Sequence, residues 1–425
     1  MLSRIKQIIS KINNNHDGKV LIANFGYLSL LQIASYFFPL ITMPYLAKVI
    51  GPEGFGKIAF AGAIMVWFTT IADWGFNFTA TRDVAKHRDD KEIVSKIFSN
   101  VLWARLILMM ISLFFLIAIV YIIPKFRENA DIIFMTFLLI PGHIMFPDWF
   151  FQAIERMKYI TVLNLISKTF FTIAIFIFIK EKSDYLIQPL LVSLGYLVSG
   201  IIAMYYILVR WKYKLYKPSL KTIIKTIKNS TDVFVNNLMP TFYNAFSTIL
   251  LGFVGGDVAN GLYESGTKFT NMFQQLLGVL SRTFFPFLSR RIDKHSVYAK
   301  INIGTSTLFA ITLIILAPIL VNIFYTSEFI YAVNVIRITS ISLIFLAIGN
   351  VYGTNYLIII NKEKQLRNIT LISSIIGFVL SFPLIHKYDV IGAALVVTIT
   401  RGILGFMTMW YAHYLKNKYK QNILR

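Results

Sequence analysis

The chain has 425 residues, 56% of them hydrophobic and only 15% charged, with a mean hydropathy of +0.64. Soluble domains are about half apolar and about a quarter charged, so this composition excludes an ordinary soluble domain and describes a polytopic membrane protein. A net charge of +22 raises nucleic acid as a partner, and the absence of cysteine excludes disulfides and thiolate metal sites.

The first ~19 residues are polar and basic, with Arg4, Lys6, Lys11 and Lys19, and no short apolar segment with a cleavage site follows. They read as an uncleaved cytoplasmic tail rather than a signal peptide. A helix needs about 20 apolar residues to cross the hydrocarbon. Twelve such spans are expected, at about 20–50, 57–81, 97–121, 130–153, 159–179, 185–209, 230–254, 258–288, 300–324, 332–359, 367–386 and 389–414. Twelve crossings put both termini on one side. Of the 42 lysines and arginines, 29 fall in the tails and even-numbered loops and 7 in the odd-numbered loops. That asymmetry places both termini in the cytoplasm and accounts for the basic charge without nucleic acid.

The longest cytoplasmic connection, 210–229 (RWKYKLYKPSLKTIIKTIKN), separates an N-terminal lobe, 1–209, from a C-terminal lobe, 230–425, with six helices each. Its spaced isoleucines and lysines predict an interfacial amphipathic helix near 219–228. The lobes read as a repeat. GPEGFGKIAF at 51–60 and GDVANGLYES at 256–265 each join the first and second helix of their set. The same offset of 205 aligns Thr70 with Gln275 and Asn77 with Arg282. Repeats of this kind build transporters, with the substrate path where the halves meet.

Six bases, Arg105, Lys168, Lys268, Arg282, Arg337 and Arg401, and three acids, Asp73, Asp148 and Glu264, fall within the spans. A charge at the bilayer centre costs at least ~2.5–3.5 kcal/mol, so such residues face a cavity or a partner. In the eighth span Glu264, Lys268, Asn271, Gln275 and Arg282 are spaced 4, 3, 4 and 7 apart. They form one polar stripe about 27 Å long on a 3.6-residue helix, expected to line a wet path rather than to glue helices together. Glu264 and Lys268 are spaced to pair. The second span shows a weaker version of the same face in Thr70, Asp73, Asn77 and Thr81, and the two stripes are expected to face each other. Lys168 lies too deep to snorkel comfortably, and either a cavity or a buried partner such as Asp148 would hold it. Arg337 lies near a span end and is free to snorkel. Asp73 and Glu264 are candidate proton or cation sites. His143, in the Pro-interrupted fourth span, could titrate near neutral pH, although a lone histidine is more often a packed one.

No P-loop, HExxH or Cys/His cluster occurs, and VIGPEGFGKIAF lacks the Lys-Ser/Thr of a phosphate cradle, so it reads as a tight turn. No extracellular loop is long enough for a glycosyltransferase, polymerase or ligase site. The chain reads as a transporter and not an enzyme.

Four stretches, NFGYLSLLQIASYFFPLITMPYLAKVIGPEGFGKIAFA (24–61), DWGFNFTATRDVAKHRDD (73–90), PDWFFQAIERMKYITVLNLISK (147–168) and GLYESGTKFTNMFQQLLGVLSRTFFPFLSR (261–290), resemble the Wzx-type O-antigen flippases. These form the polysaccharide transporter branch of the multidrug/oligosaccharidyl-lipid/polysaccharide exporter (MOP) superfamily. The most specific element runs from Pro147 to Lys158, with Ala153 where relatives often carry glycine. The resemblance covers nearly the whole chain. It implies a MATE-like fold of two six-helix lobes related by a pseudo-twofold, in a bacterial inner membrane. It implies movement of an undecaprenyl-diphosphate-linked oligosaccharide repeat unit to the periplasmic leaflet by alternating access, coupled to H⁺ or Na⁺, with no other cofactor. A polysaccharide polymerase and a chain-length regulator are the implied protein partners. In that setting Arg105, Lys168, Lys268, Arg282 and Arg401, with Asn77 and Gln275, are the expected substrate-binding groups, because cations suit a diphosphate in a low-dielectric path. Asp73, Asp148 and Glu264 are the expected ion-coupling or lumen acids, and Asp148 would hold a cationic neighbour when substrate is absent. The rivals are a MATE-type multidrug or cation antiporter, which would need an acidic cavity, a capsular or teichoic repeat-unit flippase, and a lipid II flippase, usually two helices longer.

Overall fold

A computed structural model describes residues 16–423, so the first 15 residues of the expected basic tail and the last two residues lie outside the described residues. The described residues form helices joined by short turns, with no strand among them. In chain order the helices are α1 (His16–Asp73), α2 (Phe76–Lys86), α3 (Lys91–Ile122), α4 (Pro124–Glu128), α5 (Ala130–Phe137), α6 (Leu139–Met145), α7 (Asp148–Ala153) and α8 (Met157–Phe178). They continue with α9 (Ile187–Tyr205), α10 (Leu220–Leu238), α11 (Ala245–Val254), α12 (Gly256–Arg290), α13 (His295–Phe324), α14 (Ala332–Gly349) and α15 (Glu363–Ile423). Eight helical stretches among the described residues are long and apolar enough to cross a membrane. Phe114, Phe115, Tyr121 and Ile122 on α3 are exposed, as lipid-facing side chains are.

Two helices are longer than any single crossing and each contains a break. α1 has 58 residues and breaks at Gly51, with φ 63° and ψ −175°, inside the turn expected at 51–56. α15 has 61 residues and breaks at Asp389, with φ 50°, at the first residue of the span expected at 389–414.

Three expected spans have a different local structure. The second, 57–81, is interrupted at Trp74 and Gly75, so Thr70 and Asp73 lie on α1 and Asn77 and Thr81 on α2, and the expected polar face is not one continuous helix. The fourth, 130–153, is divided into α5, α6 and α7. Pro141 has no N–H for the carbonyl of Phe137, where α5 ends, and Pro147 has none for His143, just before α6 ends. The helix start expected at 230 is also displaced. The amphipathic helix predicted near 219–228 runs on as α10 to Leu238, and the break falls at the short 3₁₀ turn Met239–Phe242, which contains Pro240.

The chain packs into two compact units. The first holds the described residues up to Thr42 together with Phe68–Lys180 and Leu186–Val235. Within it the first half of α1 is pinned to α8 by the Thr161 hydroxyl donating to the Tyr27 carbonyl (2.8 Å). The connection after α9 is strapped to α3: the backbone N–H groups of Lys214 and Tyr216 donate to the hydroxyls of Ser95 (3.1 Å) and Ser99 (3.0 Å). The Arg156 guanidinium lies 4.3 Å above the Trp211 ring, and Glu155 pairs with Arg88 at 2.9 Å. Glu155 and Arg156 therefore fasten an exposed end of this unit.

The second unit comprises Met43–Trp67, Glu181–Tyr185 and the described residues from Asn236 onward. Its core gathers Tyr243, Leu251, Ala259, Tyr263, Val335 and Val397 with Ala393 and Ala394. The two repeat-forming turns pack backbone to backbone here. A Cβ at Gly56 would lie 1.6 Å from the Asp257 carbonyl oxygen, and one at Gly261 would lie 1.9 Å from that of Pro52, so only glycine fits at either position.

Candidate functional site

In the first unit, helix α1 ends at Asp73 because Trp74 and Gly75 both take left-handed backbone, with φ 42° and 76°. The break is clamped from outside. The Trp74 ring stacks on Phe234 at 3.9 Å, and its Nε1–H donates to Thr231 Oγ1 (3.3 Å). Thr79 and Ser230 share a 2.7 Å hydrogen bond. The carboxylate of Asp73 is thereby presented to two neighbours. Arg105 on α3 donates through Nη2 to Oδ1, and Nε2 of His143 on α6 lies 3.2 Å from Oδ2.

Arg105 is only 3% exposed, and its Nε and Nη1 are buried without a hydrogen-bond partner. An unpaired buried donor costs its full desolvation, about 1–3 kcal/mol and more for a charged group. The side chains of Asp73 and His143 remain open, at 21% and 23% exposure. A guanidinium with spare donors thus sits behind a carboxylate that can be reached. The His143 ring is edge-on to Tyr196 at 6.3 Å.

Lys168 on α8 is half-buried, and its Nζ donates to Ser35 Oγ at 2.7 Å. That hydroxyl in turn donates to the Leu31 carbonyl (2.8 Å). The alternative buried partner, Asp148, is not on Lys168. Its carboxylate accepts the Trp149 N–H (2.7 Å) at the start of α7. The expected cationic neighbour of Asp148 is likewise missing among the described residues, because α7 begins at Asp148 and turns its carboxylate onto the helix's own free N–H.

In the second unit α12 carries the polar stripe. Asn271, Gln275 and Arg282 are exposed, and Glu264 and Lys268 are half-buried. Ser265, Thr267 and Thr270 lie on the buried side of the helix, with Thr270 bonded to Thr339 on α14 at 2.8 Å. Glu264 and Lys268 form no ion pair within 4.0 Å; the Lys268 ammonium lies 5.0 Å above the Phe55 ring, so a cation–π contact replaces the i, i+4 pair. Arg401 on α15 is 6% exposed and is bound by neutral groups: Nη1 donates to Ser342 Oγ (2.9 Å) and Nη2 to Gln274 Oε1 (2.7 Å). It joins α12, α14 and α15. Asn77 on α2 and Arg337 on α14 are exposed.

Sequence spacing missed Ser35, His143 and Gln274 as partners of these charges. Gln274 falls beside the stripe rather than on it. Ser35 and His143 meet their partners across 133 and 70 residues of sequence. The prolines around His143 were the available signal, since they break the helix that carries it.

These features define a multi-pass helical membrane protein with buried or half-buried charged groups, Asp73, Arg105 and Lys168 in the first unit and Glu264, Lys268 and Arg401 in the second. The fold agrees. The lipid II flippase MurJ in its inward closed conformation superposes with a TM-score of 0.72 at 15% identity, covering 92% of this chain and 87% of that one. A MATE structure in complex with MaD5 gives 0.58 at 11% identity, covering 92% and 94%. A MOP superfamily transporter from Pyrococcus furiosus gives 0.53 at 13% identity, covering 94% of each chain. Two bacterial proteins named "Putative O-antigen transporter" align over nearly all of the chain. The Escherichia coli (strain K12) protein is 29% identical over 91% of this chain and 95% of its own length, and the Shigella dysenteriae protein is 26% identical over 90% and 97%. Residues 21–292 match the family described as "Polysaccharide biosynthesis protein", and the chain belongs to that family.

Proposed function

We propose that this protein is a flippase that carries an undecaprenyl-diphosphate-linked oligosaccharide repeat unit from the cytoplasmic to the periplasmic leaflet of the bacterial inner membrane. Family membership and the two O-antigen transporter relatives support the cargo class. The observation that carries the reading is a pair of cationic groups in the first unit with unused donor capacity. Lys168 has a hydroxyl and no carboxylate as its partner, and Arg105 has two buried nitrogens without acceptors. A diphosphate supplies what both lack, several anionic acceptor oxygens.

Transport proceeds by alternating access of the six-helix lobes 1–209 and 230–425. Counting the two broken helices as two crossings each, and adding 220–254 and 256–290, supports twelve crossings with both termini in the cytoplasm. Lys168 and Arg105 bind the diphosphate. Lys268, Gln275 and Arg282 on α12, with Asn77, line the path of the glycan, while the lipid tail stays in the bilayer. Inward flow of H⁺ or Na⁺ drives the cycle, with Asp73 as its site in the first unit. When the ion neutralises Asp73, Arg105 is released to the phosphate. Arg401 contributes positive potential without touching cargo. An inside-negative membrane adds about 2.3 kcal/mol per 100 mV for each net negative charge moved outward. The released repeat unit is handed to a polymerase and a chain-length regulator. A cationic-drug exporter fits less well, since its cargo would meet the Lys168 ammonium and the spare donors of Arg105.

The test is a deletion strain. Loss of surface polymer with a single lipid-linked repeat unit accumulating in the cytoplasmic leaflet is expected. Normal surface polymer, with no second flippase gene present, would overturn the assignment.

A further inference from the structure

The second unit contains a cavity of about 450 Å³ that none of the transport residues lines. It lies among the first turns of α13, the end of α15 and the π-helical segment Asn350–Leu357 that continues α14. Its lining includes Lys300, Lys416, His295, His413, Tyr352 and Tyr356, and no carboxylate among the described residues. Its volume lies within the roughly 300–1,000 Å³ of small-ligand sites.

The aromatic side chains form the walls. His295 is buried, with ring centroids 5.6 Å from Tyr352 and 4.9 Å from Tyr356, and Tyr352 lies 5.2 Å from His413. The Nε2–H of His295 donates to the Val351 carbonyl (2.9 Å), which leaves Nδ1 as the ring's other polar atom. The π-helical turn matters for this geometry. A wider turn offsets the register of the residues after Gly349, and such turns concentrate at functional sites. Here the segment supplies both tyrosines and the carbonyl that fixes the histidine. Directly behind the wall, Tyr298 OH accepts from Asn302 (2.9 Å) and Asn355 (2.7 Å) in a buried network, so the wall is rigidly backed. Lys300 and Lys416 are exposed at the rim. Two ammonium groups around one cavity with no carboxylate among the described residues suit a bound anion.

We propose that this cavity binds a phosphate-bearing ligand: the lysines hold the phosphate, and the Tyr/His walls hold the group it is attached to. Lys300 and Lys416 belong to basic segments that the proposed topology assigns to the cytoplasmic side, where the headgroup of an anionic phospholipid is the nearest source; a soluble phosphate compound shares the chemistry. The site is separate from Lys168 and Arg105. Its binding test reads no transport, so failure here leaves the flippase reading standing, and failure of the flippase reading leaves this site standing.

The experiment is native mass spectrometry of the full-length purified protein titrated with phosphatidylglycerol, with phosphatidylethanolamine and, separately, with inorganic phosphate. It compares the wild type with the Lys300→Gln/Lys416→Gln double variant. A second double variant, Lys362→Gln/Lys364→Gln, removes the same charge from a basic loop outside the cavity. The expected result is that the tightest-bound phosphatidylglycerol weakens at least tenfold in the cavity variant only. Loss of phosphate binding in that variant, with lipid binding unchanged, would assign the site to a soluble phosphate ligand. Equal weakening in both double variants, or in neither, would overturn the proposal.

Discussion

Lys168 is held by Ser35, a hydroxyl, across 133 residues of sequence, with no carboxylate in contact among the described residues. A lysine placed this way has donor capacity left for an anionic ligand. Replacing it with alanine should lower flipping tenfold to a hundredfold, since a hydrogen bond to a charged group is worth about 1.5–3 kcal/mol. Membrane abundance should stay unchanged. Ser35→Ala should cost far less, because it removes only the resting partner. Complementation of a deletion strain, scored by surface polymer and immunoblot, checks both. Full activity of Lys168→Ala would remove this residue from the path.

The Asp73–Arg105 pair makes a prediction about stability. Removing one partner of a buried ion pair leaves an uncompensated charge, at about 3–5 kcal/mol. Asp73 is partly open, which puts its cost toward the lower end. Asp73→Asn should therefore lower the melting temperature in detergent, and Asp73→Asn/Arg105→Gln should recover part of the loss. A double variant less stable than the single one would show that Arg105 does not depend on Asp73.

Arg401 is expected to act through packing. Arg401→Gln and Gln274→Ala should each lower thermal stability, and the double variant should fall short of the sum, as coupled neighbours do. Strict additivity, together with a transport defect at normal stability, would return Arg401 to the cargo-binding set.

The glycine contacts separate crowded from open positions. Gly56→Ala and Gly261→Ala drive a Cβ into backbone and should cost at least about 1–3 kcal/mol, seen as lost folded protein on size-exclusion chromatography. Gly62→Ala and Gly304→Ala meet nothing within 4 Å in helices and should be neutral or slightly stabilising.

Much of this architecture was readable from residue order. Hydropathy located the apolar spans, the tight turn at 51–56 contains the break at Gly51, and the break at Asp389 falls at the start of the span expected at 389–414. The α12 stripe was read from spacing alone, and its polar residues do lie on the less buried side. Short-range signals of this kind survive folding because helix geometry fixes them. The remaining features depend on tertiary contacts. α10 extends past residue 230 because Thr231 and Phe234 clamp the Trp74 break, a contact between segments 157 residues apart. Whether a buried arginine holds cargo or neighbours depends on side chains that spacing does not bring together. Thus Arg105 and Arg401 looked alike in the sequence, yet one meets a carboxylate and the other a serine and a glutamine.

The most direct measurement uses purified protein in liposomes loaded with undecaprenyl-diphosphate-linked oligosaccharide, with a membrane-impermeant glycosidase added outside. In empty liposomes the enzyme should digest only the outer-leaflet glycan. Wild-type protein should make the inner-leaflet pool digestible over time, and Lys168→Ala/Arg105→Gln should return the empty-liposome result. An inner pool that stays protected with active, correctly folded wild-type protein, or a double variant as fast as the wild type, would contradict a cationic path for a phosphate-linked glycan.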